Sequence, residues 1–243
     1  MKLIPLKQLL RTTVIPELFA HTAYFSTGEI RAALRRRRVA FKPATLNRYL
    51  HELTQAGYIH DAGRGWYSSL PERFSLDPAP VEPVVESLTK QFPLVRFSCW
   101  STQQINGYMH HMLARFATFV YVPRAAMKPV FQFLRDQGYH AYLNPTRKEA
   151  AKNFTIREKT IVVRPSLRKQ PADTKFAPIE KLLVDIYVES EALAMMDRGE
   201  FERMAKNVIR SARVSVPTVI AYSDERQVPI RKLFTEAQSI ISD

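Results

Sequence analysis

Four prolines fall within residues 71–83 (PERFSLDPAPVEP), at Pro71, Pro78, Pro80 and Pro83. Each lacks a backbone donor and biases its predecessor away from helix, so no regular element is expected to run through this stretch. The chain is therefore expected to form two domains, residues 1–75 and 76–243. Charge divides at the same place. Residues 1–75 carry twelve Lys and Arg against five acids, a net of +7, and the other 168 residues hold the remaining +6 of the total of +13. A hydrophobic share of 46% and a charged share of 24% provide for packed cores and exclude wholesale disorder. The single cysteine, Cys99, forms no intramolecular disulfide, which leaves the cytoplasm as the expected compartment. The start MKLIPLKQLLRTTV lacks a continuous apolar core, and the run MLARFATFVYV is broken by Arg115, so neither a signal peptide nor a membrane partner is expected.

The basic third has an internal order. Ser26-Thr27-Gly28-Glu29 has the spacing of a capping box and predicts a helix whose core face is Ile30, Ala33 and Leu34. Arg31, Arg35 and Arg38 fall on its outward flank; Arg37 would turn to the core, so the helix is expected to end near Arg36. Lys42-Pro43 opens a second helix, with Leu46, Tyr49, Leu50 and Leu53 as its apolar stripe and Gly57 closing it. Its opposite face, Ala44, Thr45, Asn47, Arg48, His51 and Gln55, suits contact with bases and phosphates. The β-prone runs Tyr58-Ile59-His60 and Trp66-Tyr67-Ser68 flank a turn carrying Arg64. Two helices followed by a hairpin, with an earlier helix within Leu3–Ala20, predict a winged helix-turn-helix. The expected DNA-contacting residues are Arg35, Arg36, Arg38, Lys42, Thr45, Asn47, Arg48, His51 and Arg64.

From Val81 onward, helix and strand signals alternate. Helices are expected over Val84–Gln91, Gln103–Leu113 and Ala125–Gln137, and strands at Val95–Trp100, Thr118–Val122, Tyr139–Leu143 and Thr160–Val163. Ile179, Leu182, Leu183, Ile186 and Tyr187 mark a largely buried helix; Glu200–Ala212 and Val228–Ile241 are expected to be helical, with Val216–Tyr222 of unassigned type. The fold class is thus α+β: an N-terminal winged helix followed by a larger mixed α/β domain ending in several helices.

Signatures of chemistry are few. The sequence has no Gly-rich phosphate loop, G-x-S-x-G, H-E-x-x-H or C-x-x-C. Cys99 lies on an apolar strand, where an inert thiol belongs, and the adjacent His110 and His111 would diverge on a helix, a poor chelating geometry. Asp185 and Glu189 share a helix face at i, i+4 and would be the carboxylates of a metal-dependent nuclease. Yet Glu158-Lys159 and Glu180-Lys181 lack the spacing residue of an E-x-K motif, and paired acids on a helix are commonly solvated or salt-bridged. No catalytic residue, metal or cofactor is expected.

The segments FSTGEIRAAL, KPATLNRYLHELTQAGYIHDAGRGWYSSL, FPLVRFSCWST, HHMLARFATFVYV, YHAYLNP and APIEKLLVDIYVE, spread over residues 24 to 205, resemble AbiEi-type proteins. These are the antitoxin and regulator components of bacterial abortive-infection toxin–antitoxin systems. The resemblance implies a bacterial cytoplasmic protein that represses its own promoter at inverted repeats. It also implies neutralisation of a nucleotidyltransferase-fold toxin through the C-terminal domain. Only the reading face, Thr45, Asn47, Arg48 and His51, and the wing residue Arg64 carry over by position; the Arg35–Arg38 tract matches no family pattern and rests on its charge. The alternatives are a DNA-binding, metal-dependent nuclease and a regulator unconnected to any toxin.

Overall fold

A computed structural model of the chain describes residues 5–167, 169–171 and 175–235. It is a mixed α+β protein that divides into two compact units. The first unit contains residues up to Phe74 together with Ile209–Ile220 and the segment from Pro229; the second contains Ser75–Val208 and Ala221–Val228. The expectation of two contiguous domains, 1–75 and 76–243, is thereby corrected. The reason is physical: C-terminal segments complete hydrogen bonds that residues 1–74 leave open. The Tyr24 hydroxyl donates to the Ala212 carbonyl at 3.2 Å and accepts from the Val214 N–H at 3.1 Å. Backbone bonds pair Arg213 with Glu72 and Phe74, and its guanidinium donates to the carbonyls of Leu70 and Pro71 at 2.7 Å.

In the first unit a helix over residues 6–19 leads. It consists of α1 (Leu6–Leu9), a π turn at Leu10–Val14 and α2 (Ile15–Phe19). Pro16 explains the π turn, because a proline inside a helix has no N–H to donate and its ring crowds the preceding turn. The Tyr58 hydroxyl donates to the Arg11 carbonyl, the group five residues before Pro16. Then follow β1 (Tyr24–Ser26), α3 (Thr27–Arg36), α4 (Pro43–Gln55), β2 (His60–Asp61) and β3 (Trp66–Ser68), the strands forming an antiparallel sheet in the order β1-β3-β2. The expected apolar stripes meet in one core, where Leu10, Ile15, Phe25, Ile30, Leu34, Leu46 and Leu50 are fully buried.

The second unit is built on a four-stranded sheet of order β4-β5-β7-β6, comprising β4 (Ser98–Ser101), β5 (Ala117–Val122), β6 (His140–Leu143) and β7 (Thr160–Pro165). β4 is antiparallel to β5, whereas β5, β7 and β6 run parallel, with β7 inserted between the two strands that α6 (Met127–Asp136) connects. Side chains alternate across the sheet. Cys99, Val120, Val122, Ile161 and Val163 join one core with α5 (Glu82–Gln91) and α6. Phe119 stacks on Trp100 at 4.2 Å, on the face that also carries Tyr121 and Arg164.

That second face meets α8 (Ile179–Leu193), which follows α7 (Arg147–Asn153) in the chain. The expectation that α8 is largely buried holds, and its acids are buried with it. Glu189 receives Arg164 through Nε at 3.0 Å and a second guanidinium nitrogen at 2.6 Å, and accepts from the Tyr121 hydroxyl at 3.1 Å. Asp185 pairs with Lys181, accepts from the Tyr222 hydroxyl at 2.7 Å and lies 3.7 Å from Arg226. The Lys181 ammonium stands 3.6 Å over the Tyr121 ring, and its desolvation lowers its pKa.

Several element boundaries differ from expectation. The helix expected over Gln103–Leu113 is a 3₁₀ helix, Thr102–Tyr108, because the Asn106 side chain takes the Leu113 N–H at 2.7 Å and folds the chain into a loop. The unassigned Val216–Tyr222 segment is helical within α10 (Val216–Arg226), which follows α9 (Arg198–Ser211). Of the helix expected over Val228–Ile241, only α11 (Lys232–Thr235) forms among the described residues, and 236–241 lie outside them. No described helix is long and apolar enough to cross a membrane.

Removing one member of a buried ion pair strands the other. Asp185→Ala should therefore lower unfolding free energy by about 3–5 kcal/mol in chemical denaturation, and adding Lys181→Met should recover only part of that loss, because the Tyr222 hydroxyl and Arg226 still lack their acceptor.

Candidate nucleic-acid interface

The basic surface of the first unit is built by two helix ends and a turn. Ser26 caps α3 reciprocally with Glu29: the Glu29 N–H donates to the Ser26 hydroxyl at 3.2 Å, and the Ser26 N–H to the Glu29 carboxylate at 2.6 Å. Both helices end in the same hydrogen-bond pattern. In α4, Gly57 N–H donates to Thr54 O and Tyr58 N–H to Leu53 O; in α3, Arg38 N–H donates to Arg35 O and Val39 N–H to Leu34 O. This is the Schellman closure, which requires a left-handed residue at its turn. Gly57 supplies it at φ 68°, but α3 uses Arg38 at φ 56°. Arg38 therefore lies past the helix end, not on its flank, at a local steric cost of about 1–2 kcal/mol.

Of the nine residues expected to contact DNA, eight are exposed: Arg35, Arg36, Arg38, Lys42, Asn47, Arg48, His51 and Arg64; Thr45 is half-buried near the start of α4. Arg37 is withdrawn from this surface. Its guanidinium donates to the Ala33 carbonyl at 3.1 Å and pairs with Glu17. Arg48 lies 3.7 Å from Glu52 and its guanidinium carbon 5.1 Å from the Tyr49 ring centre, which holds the side chain along α4. Glu52 also accepts from Lys7 at 2.6 Å, and this bond, followed by the nearby charges of Lys7 and Arg48, lowers its pKa.

Arg64 sits in a closed turn. Trp66 N–H donates to Gly63 O at 2.8 Å, and the Thr27 N–H at the start of α3 donates to Gly65 O, also at 2.8 Å. The C-terminal segment seals the other side, with Val216 N–H donating to Ala62 O at 3.0 Å. Pro217 approaches so closely that a Cβ at Gly63 would lie 2.6 Å from its Cδ. The turn thus presents Arg64 from a backbone anchored on two sides. These anchors are invisible to periodicity, since Val216 and Pro217 lie far along the chain; Gly63 was the one local sign of a close approach.

Cys99 is fully buried, and burial pushes its thiol pKa far up. His110 and His111 lie outside any helix, and both of their N–H groups donate to Glu200, at 2.7 and 3.1 Å. Asp185 and Glu189 are engaged by Lys181, Arg226 and Arg164. Among the described residues no cluster of three or more His, Cys, Asp or Glu is arranged to hold a metal.

The profile of a family described as a family of unknown function (DUF6577) matches residues 45–238. The matched region starts within α4, taking in Thr45, Asn47, Arg48, His51 and Arg64 and leaving out the Arg35–Lys42 tract. A search of curated proteins gave no match.

The left-handed arginine makes a direct prediction. Arg38→Gly should raise unfolding free energy by about 1 kcal/mol, and Gly57→Ala should lower it by at least as much, both read by urea denaturation.

Proposed function

The chain belongs to the DUF6577 family, whose description assigns no function, and we propose from its own residues that the first unit is a winged helix-turn-helix that binds double-stranded DNA. The observation that carries this reading is the exposure of Asn47, Arg48 and His51 along α4, flanked by the exposed cations Arg35, Arg36, Arg38 and Lys42. An α-helix fits the major groove, and these side chains supply the donors that read base edges and neutralise phosphates. The order of elements, helix, strand, two helices and a two-stranded hairpin, supports the winged-helix reading, in which Arg64 at the hairpin turn would reach an adjacent phosphate or the minor groove. Arg38 adds support: the chain bears a left-handed arginine where glycine would cost nothing sterically, as expected if its charge is used.

Within this reading the protein is a bacterial, cytoplasmic regulator that represses its own promoter. It neutralises a nucleotidyltransferase-fold toxin through the second unit. The toxin part rests on the resemblance to AbiEi-type antitoxins in the α8 segment APIEKLLVDIYVE and the strands preceding it. The nuclease alternative is disfavoured because its two carboxylates, Asp185 and Glu189, are already paired with the chain's own cations.

Binding of the full-length protein to its own upstream DNA, followed by fluorescence anisotropy, tests the interface. Replacing Arg48 and Arg64 together by Ala should weaken binding by more than about tenfold; unchanged affinity would overturn the assignment. Arg48→Ala alone should relax sequence preference, and Arg35→Ala should weaken all sequences alike. The double variant should still rescue cells expressing the adjacent toxin gene, because neutralisation is assigned to the other unit. The full chain is needed here: a deletion of residues 1–80 would strip Arg213, Val214 and Val216 of their partners.

A further inference from the structure

The second unit contains a cleft that DNA binding leaves unused. It opens at the amino ends of the parallel strands, beside Thr118 of β5, Thr160 of β7 and Tyr139 just before β6, and encloses about 690 Å³. Three exposed cations line it, Arg115, Arg157 and Lys159, and none of them takes part in an ion pair with any described residue. Glu158, which also lines the cleft, is not paired with them either. Three cations against one carboxylate leave the concavity net positive, which attracts an anion.

Two of these cations are held in place. The Thr160 hydroxyl donates to Arg157 O at 2.9 Å and accepts from Arg157 N–H at 2.7 Å, closing the turn that contains Lys159. Lys159 O accepts from His140 N–H at 3.1 Å, and Lys159 itself is left-handed at φ 52°. A lysine therefore occupies a backbone position that favours glycine, on a turn tied to two strands. Phe116 and Tyr139 add aromatic surface to the lining.

We propose that this cleft binds a nucleotide, with Arg115, Arg157 and Lys159 holding its phosphates and the aromatic side chains beside its base. Guanidinium forks match phosphate oxygens, and lysine adds a point charge. The volume lies within the ordinary range of small-ligand sites, about 300–1,000 Å³, far more than a bare phosphate fills. The inference is independent of the DNA-binding reading, since none of these residues belongs to the first unit.

Isothermal titration calorimetry on the full-length protein, with ATP, tripolyphosphate and adenosine as probes, tests the site. ATP should bind saturably at one equivalent, tripolyphosphate more weakly, and adenosine without detectable heat. Lys159→Gly removes the charge while relieving the backbone, so the variant should fold normally yet bind ATP at least about tenfold more weakly, as should Arg115→Ala. The Arg48→Ala/Arg64→Ala protein should bind ATP as the wild type does. Absence of ATP binding, wild-type affinity in both cleft variants, or loss of binding in the Arg48→Ala/Arg64→Ala protein would overturn the proposal. So would tripolyphosphate binding as tightly as ATP, or displacement of ATP by a short single-stranded oligonucleotide at lower concentration.

Discussion

The basic unit depends on a closure that its own N-terminal residues do not provide. The Tyr24 phenol is held between Ala212 O and Val214 N–H, Arg213 pairs with the chain at Glu72 and Phe74, and Val216 and Pro217 seal the turn that carries Arg64. Without this return segment, the hydroxyl of buried Tyr24 and the carbonyl of buried Ala62 would lose their partners, at about 1–3 kcal/mol each. In the proposed DNA complex the anchored backbone of the turn would lose little freedom on contact with a phosphate, which lowers the entropic cost of that contact. In α3 the Schellman closure at Arg38 fixes the helix end that carries Arg35 and Arg36.

How much of this is legible in the sequence follows from the range of the interactions. The capping box Ser26–Glu29, the stripes of α3 and α4 and the left-handed Gly57 are local signals within four residues, and they locate the exposed face correctly. Strand positions in the second unit follow from β-branched and aromatic runs at β5, β6 and β7, whereas β4 is Ser98–Ser101 and not the expected Val95–Trp100; the insertion of β7 between β5 and β6 is a long-range choice with no local mark. The return of residues 209–220 to the first unit was likewise not legible, because Tyr24 and Val214 meet across 190 positions. The loop at His110 and His111 is closed by Asn106 seven residues back and held by Glu200 on a distant helix, and neither contact is marked by the helical spacing of the run.

The charged face of α8 illustrates a limit of reading helices by pattern. Asp185 and Glu189 at i, i+4 look like a solvated acidic edge or a pair of metal ligands until Arg164, Lys181 and Arg226 are placed around them. Such buried pairs contribute little net stability, but a structure that mispairs them leaves a charge stranded in the core, so they favour one arrangement over its competitors. The two left-handed cations, Arg38 and Lys159, are a second case. In the sequence Arg38 ends a run of four arginines and Lys159 stands beside Glu158; only the backbone reveals that each occupies a position suited to glycine.

The central claim, that the exposed cations of the first unit engage duplex DNA, is tested most directly by the salt dependence of binding. Six phosphate contacts should give a slope of about −5 in log affinity against log salt for the full-length protein, at about −0.9 per phosphate neutralised. That slope should become shallower by about one unit when a single contacting arginine such as Arg35 is replaced by Ala. An affinity that does not change with salt would contradict the account.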